Sequence, residues 1–442
     1  MAGRTASRRQ TGRPAQQRPQ RKTKRQPVRS SSRKHSAIWN DGAFDVPFLA
    51  IVLTLITFGL IMLFSASYVY SYYNQDGDSL YYFKRQLIFA IMGIVLMFVV
   101  SRVEYHVWQK ASIPLLVVSY GLLVLVLFVT PPAGYEDFHR WINLGFITFQ
   151  PSEIAKFTLI LFLAQHIGKN YPYITRKVPS QAGWTVNWNA NHPRFLIQQK
   201  HTCFLLYAVI AASMCILVYK ENHVSGTVIL FALFFVMIWM AGYNKRAFVV
   251  IIALAIVLVV VVVSKPEILP SHAQSRITAW LDKSYDPLGV RWQTNHALYA
   301  IGSGGFFGVG LGNSKMKQLY VSEPQNDFIF SIVCEELGFV GAMAVIALFV
   351  LLLWRGFMIG LHAKDKFGSL LAIGLSFQVG LQAALNIAVV TDMFPNTGIS
   401  LPFFSYGGTS LVMLIVEMGI VLSISRSAAM KKLPEEKLPE EV

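Results

Sequence analysis

In the stretch SEPQNDFIFSIVCEELG, residues 322–338, Asp327 stands at the threshold of a long apolar run, and Glu335 and Glu336 lie about two turns into it. A carboxylate is expensive near hydrocarbon, so each of these acids needs a partner or a purpose. Position alone allows two readings of Asp327. An Asp just before an apolar helix is a common N-cap that accepts backbone N–H bonds from the first turn. An ionisable group at a membrane-embedded cavity instead marks a substrate site. Just upstream, AIGSGGFFGVGLGNSK places Gly302, Gly304, Gly305, Gly308, Gly310 and Gly312 directly before Lys315 and Lys317. Exposed N–H groups and two ammonium ions could hold an anionic headgroup. The plainer reading is a compact re-entrant loop whose lysines snorkel towards water.

Two more polar islands interrupt the apolar pattern. In RWINLGFITFQPSEIAKF, residues 140–157, Glu153 and Lys156 are three apart and can pair on one helix face. Structural support is the reading favoured for that pair. Arg140 lies outside it, where a cation could meet a phosphate. In TDMFPNTGISLPFFSYGGTS, residues 391–410, two prolines, three glycines and several hydroxyls suit a broken-helix segment lining a cavity, or an ordinary external turn. Between the islands, Arg276 to Leu281 has Ile277, Trp280 and Leu281 on one face, as in a short amphipathic helix lying at an interface.

The elements that must position these groups are transmembrane helices. Of 442 residues 54% are hydrophobic and 14% charged, against about 25% charged in soluble domains. Mean hydropathy is +0.47. Residues 46–75 and 247–264 carry no charge, and IIALAIVLVVVVVS does not alternate as a membrane strand would. Ten spans are expected, near 46–70, 85–101, 112–130, 152–167, 203–219, 226–242, 247–264, 329–354, 368–390 and 408–425. The fold expected is therefore all-α and polytopic, with a transmembrane domain over 45–426 that includes one large loop, 265–328, and a short tail, 427–442.

Twelve Lys/Arg of the net +16 lie in residues 1–40, which hold no acid, leaving +4 for the rest. That Pro-, Gln- and Ser-rich arm, with 1–44 as its domain bounds, is expected to be disordered. It is read as setting topology and touching anionic lipid rather than nucleic acid. Loop 168–202 has five Lys/Arg and no acid, so the positive-inside rule puts it in the cytoplasm. Ten spans then leave both termini cytoplasmic and Asp327 at the outer surface. Cys203, Cys215 and Cys334 are scattered in or beside apolar runs, with no CxxC, no HExxH and no GxxxxGK[ST] anywhere. Disulfide frameworks, zinc sites and ATP-driven transport find no support.

These islands, in this order, resemble the SEDS family (shape, elongation, division and sporulation; FtsW, RodA and SpoVE) over nearly all of 45–426. PNTGISLPFFSYGGTS is similar to its C-terminal signature, FQPSEIAKF to its fourth-span motif, and AIGSGGFFGVGLGNSKMKQLYVSEPQNDFIFSIVCEELGFVGA to its large loop. The wording GLGNSK is nearer the division and sporulation branches than the elongation branch, and a division-type member is expected. The chain departs from the family at HVSGT, where His223 stands in place of a common Asp, and at Asn326, where Thr is common.

The resemblance implies a peptidoglycan glycosyltransferase of the bacterial cytoplasmic membrane. It would polymerise lipid II at the division septum, beside a class B penicillin-binding protein and other divisome proteins. Asp327 would be the general base, with Lys315, Lys317, Arg276, Arg140, Ser405 and Tyr406 contacting substrate. Glu153, Lys156, Glu335 and Glu336 would support the site. No cofactor is firmly implied; a divalent cation, Mg or Mn, is the alternative source of positive charge for the leaving diphosphate. A precursor flippase and a non-catalytic divisome scaffold are the rival functions.

Overall fold

The structure, a computed structural model, describes residues 43–129, 140–143, 145, 148–175, 200–243, 248–249, 252–253, 257, 260–261, 264–269 and 271–429, with Gly3. Nearly all of the expected basic arm, residues 176–199 of the basic loop, most of the expected seventh span and residues 430–442 lie outside them. All the described residues except Gly3 fall in the unit Ile38–Val442.

Nine of the ten expected spans stand as helices among the described residues: α1 Val46–Asn74, α2 Tyr81–Arg102, α3 His106–Val126, α4 Pro151–Thr175, α5 Lys200–Lys220, α6 Val224–Met240, α9 Ile329–Leu361, α10 Lys366–Val390 and α11 Gly408–Ala429. Six of them, α1, α2, α3, α9, α10 and α11, are each long and apolar enough to cross a membrane. The large loop holds two shorter helices, α7 Ser271–Leu281 and α8 Trp292–Gly304. The first extends the amphipathic helix expected from Arg276; the second lies where no helix is expected. The antiparallel pair β1 Ile142–Asn143 and β2 Thr148–Phe149 is equally unexpected, and it delivers the chain to the start of α4.

Burial separates inner helices from outer ones. The most apolar window of α11 is 67% buried and that of α10 61%, against 22% for α2. These inner helices are less apolar than α2, because polar side chains avoid lipid by facing the bundle, whereas α2 turns most of its side chains to lipid. α10 packs on α4 and α9, α4 on α3, and α11 on α2. Aspartate caps start two helices at the end of the bundle opposite Asp327: Asp45 accepts from the Phe48 N–H at 3.0 Å and Asp365 from the Gly368 N–H at 3.0 Å.

α9 breaks at Gly338 (φ 67°). The turn after α8 pairs its backbone with this break. The Val309 and Gly310 N–H groups donate to the Glu335 and Glu336 carbonyls at 2.9 and 3.0 Å. In return, the Phe339 and Val340 N–H groups donate to the Gly305 and Phe306 carbonyls at 3.0 and 3.2 Å. These bonds satisfy polar backbone that lipid could not. A Cβ at Gly304, Gly308 or Gly338 would overlap the facing main chain, so the glycines serve close approach of two backbones.

Candidate functional site

α9 begins at Ile329 with Phe328 in the N-cap position and no side-chain cap. The N-cap reading of Asp327 is therefore not realised. The backbone around it is fixed instead by α10 and the loop between α10 and α11. Asn386 Nδ2 donates to the Asp327 carbonyl at 2.7 Å and to that of Ile399 at 2.6 Å. Ser405 Oγ donates to the Asn326 carbonyl at 2.8 Å and accepts from the Leu401 N–H at 2.7 Å. The Tyr406 N–H donates to the Gln325 carbonyl at 2.8 Å. Gly398 (φ +69°) approaches so closely that a Cβ there would stand 3.2 Å from Asp327 Oδ2.

Two guanidiniums act on this carboxyl from separate loops. Arg276, on α7, donates to the Asn396 carbonyl at 3.2 Å, and Arg140, before β1, donates to the Asn222 carbonyl. α7 is itself tied to the 391–397 loop: Trp280 Nε1 donates to the Asp392 carbonyl at 3.2 Å, while Lys283 and Arg291 meet Asp392 Oδ2 at 2.6 and 3.0 Å. Burial raises the Asp327 carboxyl, and Glu323 adds to the rise; Arg276 and Arg140 oppose it, leaving the value at about 6. Burial and repulsion from Arg276 bring Arg140 down to about 10, and burial lowers Arg276. One acid with raised proton affinity faces two cations, an arrangement suited to accepting a proton beside an anion.

The lysines of the glycine-rich loop go elsewhere. Lys317 is 4% exposed, and its Nζ meets Glu336 Oε1, Ser65 Oγ and the Gly312 carbonyl at 2.8, 2.9 and 2.8 Å. It is a buried structural cation here, not a snorkelling one and not one aimed at a headgroup. Lys315 is exposed. Neither lysine is among the charges that act on Asp327. Glu335 gathers the Ser314 hydroxyl and the N–H groups of Lys315 and Met316, so the two glutamates hold the turn 314–317 together.

Glu153 and Lys156 form an ion pair at 2.8 Å, and Lys156 Nζ continues to Gln382 Oε1 at 3.0 Å. Gln382 Nε2 then reaches the Ser400 carbonyl at 3.2 Å, so the α4 pair ends on the loop that clasps Asp327. Glu417, buried within α11, accepts from Gln378 Nε2 at 3.1 Å. The Tyr406 ring packs edge-on against Tyr82, with centroids 4.8 Å apart.

Sequence reasoning missed Gln382, Asn386, Asp392, Arg291 and Glu221. A signal existed for two of them: Gln378, Gln382 and Asn386 recur every four residues inside an apolar span, a polar stripe on one helix face. Among the described residues no three His, Cys, Asp or Glu side chains group as metal ligands do. Asp327 and the nearby Glu323 share their surroundings with two guanidiniums, whose charge disfavours a resident divalent cation.

Residues 46–430 match the family model of FtsW, RodA and SpoVE, described as cell cycle protein. The chain is 38% identical over 383 residues to the stage V sporulation protein E of Bacillus subtilis, covering 86% of this chain and 97% of that one. It is 36% identical over 394 residues to a probable peptidoglycan glycosyltransferase FtsW of Trichlorobacter lovleyi, covering 88% and 95%. Its fold is similar to a chain of a peptidoglycan synthase complex that coordinates polymerization and crosslinking (TM-score 0.68, 24% identity, 87% and 98% covered). It is also similar to the rod shape determining protein RodA of Thermus thermophilus (TM-score 0.58, 24% identity, 87% and 97% covered).

Proposed function

The chain belongs to the FtsW, RodA and SpoVE family of cell cycle proteins, and on that premise we propose that it is a peptidoglycan glycosyltransferase that polymerises lipid II. The acceptor is the 4-hydroxyl of a GlcNAc. The donor is a strand held through the diphosphate at its reducing-end MurNAc. Turning an α-linked diphosphate into a β-1,4 bond by direct attack inverts the anomeric carbon and needs one positioned base, as in the base half of an inverting glycosidase. Asp327 takes the hydroxyl proton as the new C–O bond forms. The leaving diphosphate departs with the electron pair of the broken bond, and Arg140 and Arg276 stabilise its charge.

The observation that carries this reading is the convergence of Asp327, Arg140 and Arg276, brought by three separate segments and facing one another electrostatically. Lys315, exposed on the neighbouring loop, is assigned to the approach of the diphosphate, and Ser405 and Tyr406 to the wall of the site. We assign the Asp327 face to the outside of the cytoplasmic membrane, both termini to the cytoplasm, and the working complex to the division septum with a class B penicillin-binding protein. The donor set argues against a resident divalent cation, so no step is routed through one.

The deciding experiment is polymerisation of lipid II by purified protein with its partner transpeptidase. Asp327→Asn is expected to leave an inserted, folded protein that makes no glycan. Polymer at the wild-type rate would overturn the assignment. Translocation of lipid II without polymerisation would point to a flippase, and full cellular function of the variant to a scaffold.

A further inference from the structure

The turn between α5 and α6 carries an acid that the glycosyl transfer does not use. Glu221 is fully buried, and neither carboxylate oxygen has a hydrogen-bond partner. Its neighbour Asn222 (φ 58°) turns its carbonyl to the Arg140 guanidinium. The same turn therefore anchors Arg140 and buries an acid beside it. Ser225, at the start of α6, donates to the Thr397 carbonyl at 3.1 Å, which ties this turn to the loop that clasps Asp327.

A buried carboxylate without hydrogen bonds is costly when ionised, and Arg140 is the charge set against it. The other groups nearby do not compete. His223 is buried, its Nδ1 lies 3.3 Å from Gln150 Nε2 and 3.1 Å from Ser152 Oγ, and burial, Arg140 and Lys156 hold it neutral. Lys220 is exposed. Arg276 and Asp327 also act on Arg140.

We propose that Glu221 is a positioning residue for Arg140 that works as a neutral acid. Protonated, it leaves the guanidinium's charge directed at Asp327 and a bound diphosphate; ionised, it draws that charge back into the α5–α6 turn. This rests on reading Arg140 as a diphosphate ligand. Burial raises the Glu221 carboxyl to about 8, so the acid form prevails at neutral pH and the ionised form takes over above it. Binding of an anion at Arg140 in that higher range must then take up one proton.

The test uses the purified full chain in detergent with undecaprenyl diphosphate as the probe, and follows Kd from about pH 7 to about pH 9.5. Wild-type affinity should be flat at first, then weaken by up to about tenfold per pH unit, the slope of one linked proton. Glu221→Gln, a permanent mimic of the acid form, should match wild type at neutral pH and stay flat above it. Any titration of the probe itself is common to both proteins. Parallel loss of affinity in wild type and Glu221→Gln, or a flat wild-type profile, overturns the inference while leaving the glycosyltransferase reading standing. No binding by wild type at any pH overturns both. If the Gln variant does not fold, Glu221→Asp decides: a moved midpoint supports the proposal and an unmoved one overturns it.

Discussion

Asp327 differs from the other aspartates that stand before helices in this chain. Asp45 and Asp365 each accept a first-turn N–H and cap a helix; Asp327 does not cap α9, and its raised carboxyl faces two arginines. Replacing either cap by Ala should cost about 1 kcal/mol from the lost cap, plus the loss of the Arg355 pair of Asp45 or of the Tyr105 and His106 contacts of Asp365, and leave the site intact. Asp327→Asn should do the reverse. Its value of about 6 lies above that of an exposed Asp, so ionisation opposes folding once pH rises past the unfolded value. The amide should therefore keep or raise the melting temperature while abolishing polymerisation. A base must be ionised, so kcat/KM on lipid II should rise with pH through about 6 and level off towards neutral pH. A profile that is flat from about pH 5 to about pH 7 would remove Asp327 from the rate-determining proton transfer.

Among the elements, the broken α9 and the turn that pairs with it form one unit held from inside by Lys317 and Glu336. Lys317→Ala leaves the buried Glu336 without its cation, a change worth about 3–5 kcal/mol. It should lower the melting temperature and leave lipid II affinity per folded molecule unchanged. Weakened affinity with unchanged stability would return Lys317 to the diphosphate site. Gly308→Ala strains a residue at φ +80° and drives a Cβ into the Glu336 carbonyl, at a cost of about 1–3 kcal/mol from the backbone conformation alone. Arg276 belongs to a different element and a different outcome. Arg276→Ala on α7 should raise KM for lipid II several-fold with little change in melting temperature, because its hydrogen bond goes to a loop carbonyl rather than a buried acid.

At the scale of the whole molecule, the helices alternate in direction, so Asp45 and Asp365 sit at one end of the bundle and Asp327, the 391–407 loop and the α5–α6 turn at the other. The inner helices carry polar groups from α4 to that second end: Glu153, Lys156, Gln382, Ser400. Removing Lys156 should therefore impair both insertion of a stable bundle and the shape of the site. Glu153→Gln with Lys156→Met, a neutral pair of similar size, is expected to restore more of the melting temperature than of the polymerisation rate. The orientation of the termini has its own check. Labels on residues 3 and 440, reacted with an impermeant reagent in intact cells, should stay unmodified until the membrane is opened.

Much is legible in the chain before any fold is known. Apolar runs of membrane-spanning length declare helices, because backbone in lipid has few other ways to satisfy itself. The polar islands within them declare where chemistry gathers, because charge in lipid is expensive. Local patterns cannot say which cation meets which anion. Lys317 and Arg276 look alike as candidates for a phosphate until the fold brings Ser65, 252 residues away, against Lys317 Nζ and buries that ammonium on Glu336. Arg140 and Glu221 become neighbours only when the loop before β1 meets the α5–α6 turn. In a linear reading Asp327 looks like a helix cap. It becomes a half-buried acid, free of the helix start, only once Phe328 takes the N-cap and Asn386, Ser405 and Gly398 close around it. Burial and pairing are set by partners distant in sequence, and those two quantities decide whether a charged side chain supports the fold or stands ready for a substrate.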